Sequence, residues 1–190
     1  MGRLMSEKDK DNPRALSFVT RDPSAALKNF TDARIGLGRA GVSLPLKDWL
    51  SFKLDHARAR DAVLAPFDPE AVSRELSENG LETLILKSRA KDKKEYLIRP
   101  DLGRRLSPES LSLLETKIND WNIKDPDVLV CVCDGLSATA VHAHAVEVAV
   151  KFLDLLKDGP HTRAPVIMVT GGRVAVADEV AEKFGAKVVI

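Results

Sequence analysis

Apolar and polar positions alternate with two different rhythms along this chain. From residue 24 to about 64 the spacing is helical: Trp49, Leu50, Leu54, Ala57, Val63 and Leu64 recur at roughly 3.6-residue intervals, with Lys53, Arg58, Arg60 and Asp61 mainly between them. A glycine-rich turn over 36–41 interrupts this stretch. Pro66 and Asp68-Pro69 punctuate the chain, with Asp68 placed to cap a short helix that Gly80 stops. Residues 81–87 and 95–98 read as two short strands joined by a charged turn. Ser107-Pro108-Glu109 then opens a helix towards Trp121.

From Asp125 onward the rhythm changes. Residues 128–133 form a continuous apolar run, as expected of a strand buried on both faces. A long helix follows over 138–157 and ends at Gly159-Pro160. A second buried strand over 166–169, a helix over 178–184 and a third strand over 186–190 complete the series. Alternating strands and helices imply parallel pairing. The expected fold class is therefore α/β, a Rossmann-like parallel sheet with helices on both faces, preceded by a mostly helical N-terminal region. The expected divisions are a flexible tail over 1–23, a helical region with a short two-stranded element over 24–124, and a partial Rossmann-like domain over 125–190. The last element is a strand with no helix behind it, which predicts that the natural domain is longer.

Composition narrows the function classes. The 190 residues carry 29 Lys and Arg against 28 Asp and Glu, too even a balance for a clustered basic nucleic-acid surface. No apolar run approaches the roughly 20 residues that span a bilayer, so no membrane partner is expected. The charged start of the chain does not resemble a secretory leader, although Met1 to Ser6 fits a short acylation pattern. Two cysteines, Cys131 and Cys133, are too close in sequence to staple a fold and read as core thiols; a reducing cytoplasmic setting is the default.

Several motifs invite chemistry. Gly36-Leu37-Gly38-Arg39-Ala40-Gly41 spells a dinucleotide fingerprint, but polar residues precede it and Pro45 delays the next helix, so it reads as a turn. Asp134-Gly135-Leu136-Ser137 follows the first buried strand, where ligands bind in open α/β sheets. Ser137 fits helix capping and ligand contact equally well. Thr170-Gly171-Gly172-Arg173-Val174 follows the second buried strand; paired glycines allow close backbone approach, and Arg173 can present its donors to an anion or amide. Arg99, Arg104 and Arg105 could hold phosphate or meet a partner chain. His142 and His144 diverge on one helix, and His56 beside Asp55 suits a structural hydrogen bond. No metal site and no independent hydrolytic constellation emerge.

Five segments in order, ARIGLGRAGVSLP, FKLDHARARDAVL, YLIRPDLGRRLS, DPDVLVCVCDGLSATAVHAH and GGRVAVADEVAEKFGAKVVI, make the chain resemble the small (light) subunit of ethanolamine ammonia-lyase. That resemblance implies a large-subunit partner in a hetero-oligomer, with adenosylcobalamin (coenzyme B12) held between the subunits. It implies a lyase that converts ethanolamine to acetaldehyde and ammonia, in the cytoplasm or in a bacterial microcompartment, with the main catalytic residues on the large subunit. By motif, Val174 falls on the family's cobalamin contact, and Arg173 is added as its neighbour. No DxHxxG signature occurs, which suits base-on cobalamin.

Departures from the pattern matter. Leu46 stands where many members have Thr, and Thr170-Gly171 replaces bulkier residues. The family's later Gly/Pro/Ser-rich segment, with further cobalamin contacts, has no counterpart before Ile190, so the chain is expected to be truncated. A truncated interaction module, docking on the large subunit or a microcompartment shell without useful cofactor binding, is the alternative. An unrelated nucleotide-binding α/β module is a third reading.

Overall fold

Side-chain caps and proline positions set most of the helix starts. The computed structural model describes residues 18–190. The expected tail over 1–23 lies mostly outside the described residues, and the acylation pattern at Met1 to Ser6 lies wholly outside them. The chain divides into two compact units between Arg58 and Ala59, whereas the change of sequence rhythm falls near Asp125. Residues on either side of Asp125 contribute strands to one sheet and so share a core.

In the first unit, β1 (Val19–Thr20) and β2 (Arg39–Ala40) pair antiparallel. Between them, Pro23–Phe30 forms a 3-10 segment, opened by the Asp22 carboxylate, which accepts the Ser24 N–H at 2.8 Å. The expected helix over 24–64 is therefore an α-helix only from Leu46, as α1 (Leu46–Leu64), whose last residues, from Ala59, belong to the second unit. The GLGRAG glycines serve this unit's own backbone. A Cβ on Gly36 would stand 2.6 Å from Ala25 Cα, and one on Gly38 would stand 2.5 Å from the Thr20 carbonyl oxygen. Both have positive φ, +57° and +78°, which glycine adopts without steric cost. No strand leads into them and α1 starts only after Pro45, so the motif is a turn and not a pyrophosphate seat. The helical rhythm of α1 covers no core: none of its residues is buried.

The second unit holds the parallel sheet. In chain order it runs α2 (Pro69–Glu78), β3 (Thr83–Lys87), α3 (Lys93–Ile98), α4 (Pro108–Trp121), β4 (Val128–Leu129), β5 (Cys131–Cys133), α5 (Ala138–Leu155), β6 (Val166–Thr170), α6 (Val174–Phe184) and β7 (Val188–Val189). Pro69 and Pro108 each open a helix, behind Asp68 and Ser107 caps that accept the Ala71 and Ser110 N–H groups. Gly185, at φ +68°, closes α6 in the left-handed conformation.

One expectation is corrected here. Residues 95–98 are not a strand paired with β3; they lie in α3. Asp92 accepts the Glu95 N–H at 2.7 Å, and Glu95 reaches back to the Lys91 N–H at 2.8 Å. This reciprocal cap turns a locally strand-like run into a helix. β3 instead pairs with β6, in parallel, from Thr83 opposite Val166 to Lys87 opposite Thr170. The short two-stranded element therefore does not exist as expected.

Strand order is β3-β6-β5 in a three-stranded parallel sheet, and β4 pairs in parallel with β7. Only Val130 separates β4 from β5, and the Cys131 N–H donates to the Ile190 carbonyl at 2.7 Å. The buried run over 128–133 thus touches β6 on one side and β7 on the other. Strand alternation sorts the core into two layers. Leu84, Leu86, Leu129, Ile167 and Val169 pack with Leu114, Val176, Val180 and Phe184. Val130, Val132, Val166 and Met168 pack with Val72, Leu76, Ala149 and Leu153. Helices α4 and α6 therefore cover one face, and α2 and α5 the other, as a parallel sheet requires. The fold is α/β with a parallel sheet.

Candidate functional site

At the carboxyl ends of β3, β5 and β6, three loops leave one edge of the sheet, the place where α/β proteins bind ligands. Asp134 ties these loops together. It is 3% exposed; Oδ1 accepts the Gly171 N–H at 2.6 Å, and Oδ2 accepts from Lys93 Nζ at 3.2 Å. One carboxylate so links the loop after β5, the loop after β6 and the start of α3.

Tyr96 is the second organiser. Only 2% exposed, its ring lies 4.9 Å from Lys93 Nζ and 4.3 Å from Arg173 Cζ, within cation–π range. Burial pushes its phenol above the ordinary tyrosine value, and the Arg173 guanidinium opposes that shift. Arg173 is held at three points: its N–H donates to the Gly103 carbonyl at 2.7 Å, Nη2 donates to the Tyr96 carbonyl at 3.1 Å, and its plane lies over the Tyr96 ring. Its Nε is buried without a partner. Glycine is needed where these loops touch. A Cβ on Gly135 would stand 2.1 Å from the Gly172 carbonyl oxygen and 2.3 Å from Tyr96 Oη.

The loops frame an open hollow of about 590 Å³. Cys131 and Cys133 of β5 line it, with Leu136, Val174 and Ile190 as apolar walls and Arg104 and Asp178 as polar ones. Three of those apolar side chains are held in the open: Val174 is 78% exposed, Leu136 75% and Ile190 56%. The expected site residues Arg173 and Val174 both stand on this hollow, at the start of α6.

Other sequence candidates separate. The Ser137 hydroxyl accepts the Ala140 N–H at 3.0 Å, so its role here is to cap α5. Arg99 is spent on Asp101, at 2.9 and 2.7 Å, and Arg105 on Glu179 at 3.3 Å; of the three arginines, Arg104 is the one on the hollow. His142 Nε2 accepts the Asp68 N–H at 3.1 Å and its ring lies 5.4 Å from Phe67, a structural role. Asp55 pairs with Arg34 and Arg58, and His56 stands against Phe52. Among the described residues no three His, Cys, Asp or Glu are grouped to hold a metal ion, and no helix is long and apolar enough to cross a membrane. Sequence reasoning missed Tyr96, because 95–98 reads as strand, and Lys93, because it falls in the charged turn before it; the Asp92 to Glu95 capping spacing was the available signal.

Comparison with known proteins adds to this geometry. Residues 21–190 match the family model described as the ethanolamine ammonia-lyase light chain. The chain is similar to the ethanolamine ammonia-lyase small subunit of Ralstonia nicotianae, 45% identical over 189 residues, which cover 98% of this chain and 67% of that protein. It is 46% identical over 169 residues to the same-named subunit of Pseudomonas putida, covering 89% of this chain and 62% of the relative. For the subunit of Azotobacter vinelandii the figures are 45% over 177 residues, 92% and 64%. The chain thus spans between 62% and 67% of the length of these curated relatives.

Proposed function

Because the chain belongs to the ethanolamine ammonia-lyase light-chain family, we propose that it serves as the small subunit of that lyase, contributing one wall of an adenosylcobalamin site completed by a large subunit. The reaction proposed for the assembly is conversion of ethanolamine to acetaldehyde and ammonia, in the cytoplasm or a bacterial microcompartment. The β5–α5–β6 unit and its edge loops are, in this reading, a Rossmann-like platform.

The observation that carries the reading is the hollow itself. Val174, Leu136 and Ile190 offer exposed apolar contact to a flat macrocycle, beside Arg173 and Arg104, which can donate to its peripheral amides. The residues present therefore fit the cofactor. When bound, the cofactor supplies radical chemistry through its cobalt–carbon bond, while the protein supplies binding and orientation. This chain's part is positioning: Asp134 and Tyr96 fix the loops, Arg173 is held by Tyr96 and Gly103, and Val174 projects from the first turn of α6. In this reading the main catalytic residues lie on the large subunit.

The test is Val174→Glu in a complex reconstituted with a family large subunit. Val174 is 78% exposed, so the fold tolerates the change. A carboxylate forced into a desolvated contact costs several kcal/mol, and each ~1.4 kcal/mol is tenfold in affinity. Cobalamin affinity should fall at least tenfold with assembly intact. Unchanged affinity would remove Val174 from the site. The unburied face of α1 favours the second reading, a docking module; a complex that assembles normally but never binds cobalamin, even with Val174 intact, would select it.

A further inference from the structure

Cys131 and Cys133 are two apart on β5, so their side chains leave the same face of the strand. Their sulfurs stand 3.8 Å apart, and both line the hollow. Two thiolates bonded at about 2.3 Å to one tetrahedral zinc-type ion stand roughly 3.8 Å apart. The pair is thus already spaced as one edge of a thiolate tetrahedron. Gly172 packs closely beside the pair: a Cβ there would come within 2.9 Å of Cys133 Sγ.

We infer that Cys131 and Cys133 form a two-thiolate chelating site for a thiophilic d10 cation of the zinc or cadmium class. No third protein ligand is grouped with them among the described residues, so the remaining positions open to the hollow and take water or a small external ligand. Each thiol gives up its proton to water as its sulfur–metal bond forms, so binding one ion releases two protons and tightens as pH rises. The site does not rest on the cobalamin reading, since it needs only this chain.

The experiment is titration of the full reduced chain, free of added thiol, with Cd²⁺ alone, followed by the ultraviolet sulfur-to-cadmium charge-transfer absorption. One Cd²⁺ per chain is expected, displaced by Zn²⁺. Cys131→Ser and Cys133→Ser should each bind at least tenfold more weakly while melting as the parent does. Pretreating the parent chain with a trivalent aryl arsenical, which takes two thiols at once, should block uptake, and this arm needs no variant to fold. Absence of the charge-transfer band, a serine variant that binds Cd²⁺ as tightly as the parent, or uptake unaffected by the arsenical would each overturn the site.

Discussion

Removing the Asp134 carboxylate should unfasten the site edge, and the structure sets the scale of the loss. Asp134→Ala leaves the Gly171 N–H, now bonded at 2.6 Å, and Lys93 Nζ, at 3.2 Å, without their acceptor. Breaking a buried pair from one side costs about 3–5 kcal/mol. The Lys93 side chain keeps 24% of its exposure and can turn to water, whereas that of Asp134 keeps only 5%, so the lower end, about 3 kcal/mol, applies. Asp134→Asn retains an oxygen for the Gly171 N–H and loses only the charge; about 1–2 kcal/mol is expected. Lys93→Met leaves the carboxylate buried with one donor fewer and should fall between the two. Urea unfolding followed by circular dichroism measures all three, and the melting temperature of Asp134→Ala should drop by about 6–12 °C for a chain of this length. A double-mutant cycle over Lys93 and Asp134 should give a coupling of about 1–2 kcal/mol. An alanine variant within about 1 kcal/mol of the parent, or an asparagine variant as damaging as alanine, would refute the linking role.

Three further outcomes follow from the same geometry. Gly135→Ala places a methyl against the Gly172 carbonyl and the Tyr96 hydroxyl; it should destabilise by about 1–3 kcal/mol and alter the near-ultraviolet signal of Tyr96. Leu76→Ala empties a fully buried position beneath β3 and α5, with an expected loss of about 2–5 kcal/mol in urea. Lys187 foremost, then the Thr162 N–H and hydroxyl, hold the Asp127 carboxyl well below its ordinary value. A depressed folded value stabilises above the ordinary carboxylate range and loses that contribution as pH falls, so Asp127→Asn should be less stable than the parent at neutral pH and equal to it well below about pH 4. A difference that persists or grows in acid would reverse that assignment.

The sequence by itself determined the α/β class, both buried strands after Asp125, the caps at Asp68 and Ser107, and the loop that carries Arg173 and Val174. Each of these is written in local signals: an apolar run long enough to be buried on both faces, a proline behind a capping side chain, two glycines after a strand. It also sufficed to demote GLGRAG to a turn, because the missing strand before it is a local fact. Tertiary structure decided what local signals cannot encode. β3 pairs with β6 across 166–170, not with 95–98, because pairing is settled by which strands share the core layers and not by which are neighbours in sequence. Residues 95–98 become helix through a side-chain cap that outweighs their strand-like composition. Ser137, read as cap or ligand contact with equal weight, caps α5, and two of the three arginines are taken up by Asp101 and Glu179. Tyr96 and Lys93 join the site only because α3 folds against the loops after β5 and β6, where the Asp134 carboxylate and the Arg173 guanidinium meet them. Burial of those groups, and hence their roles, depends on contacts between segments 40 to 80 residues apart in sequence, about 41 for Lys93 with Asp134 and 77 for Arg173 with Tyr96; no periodicity within one segment carries that information.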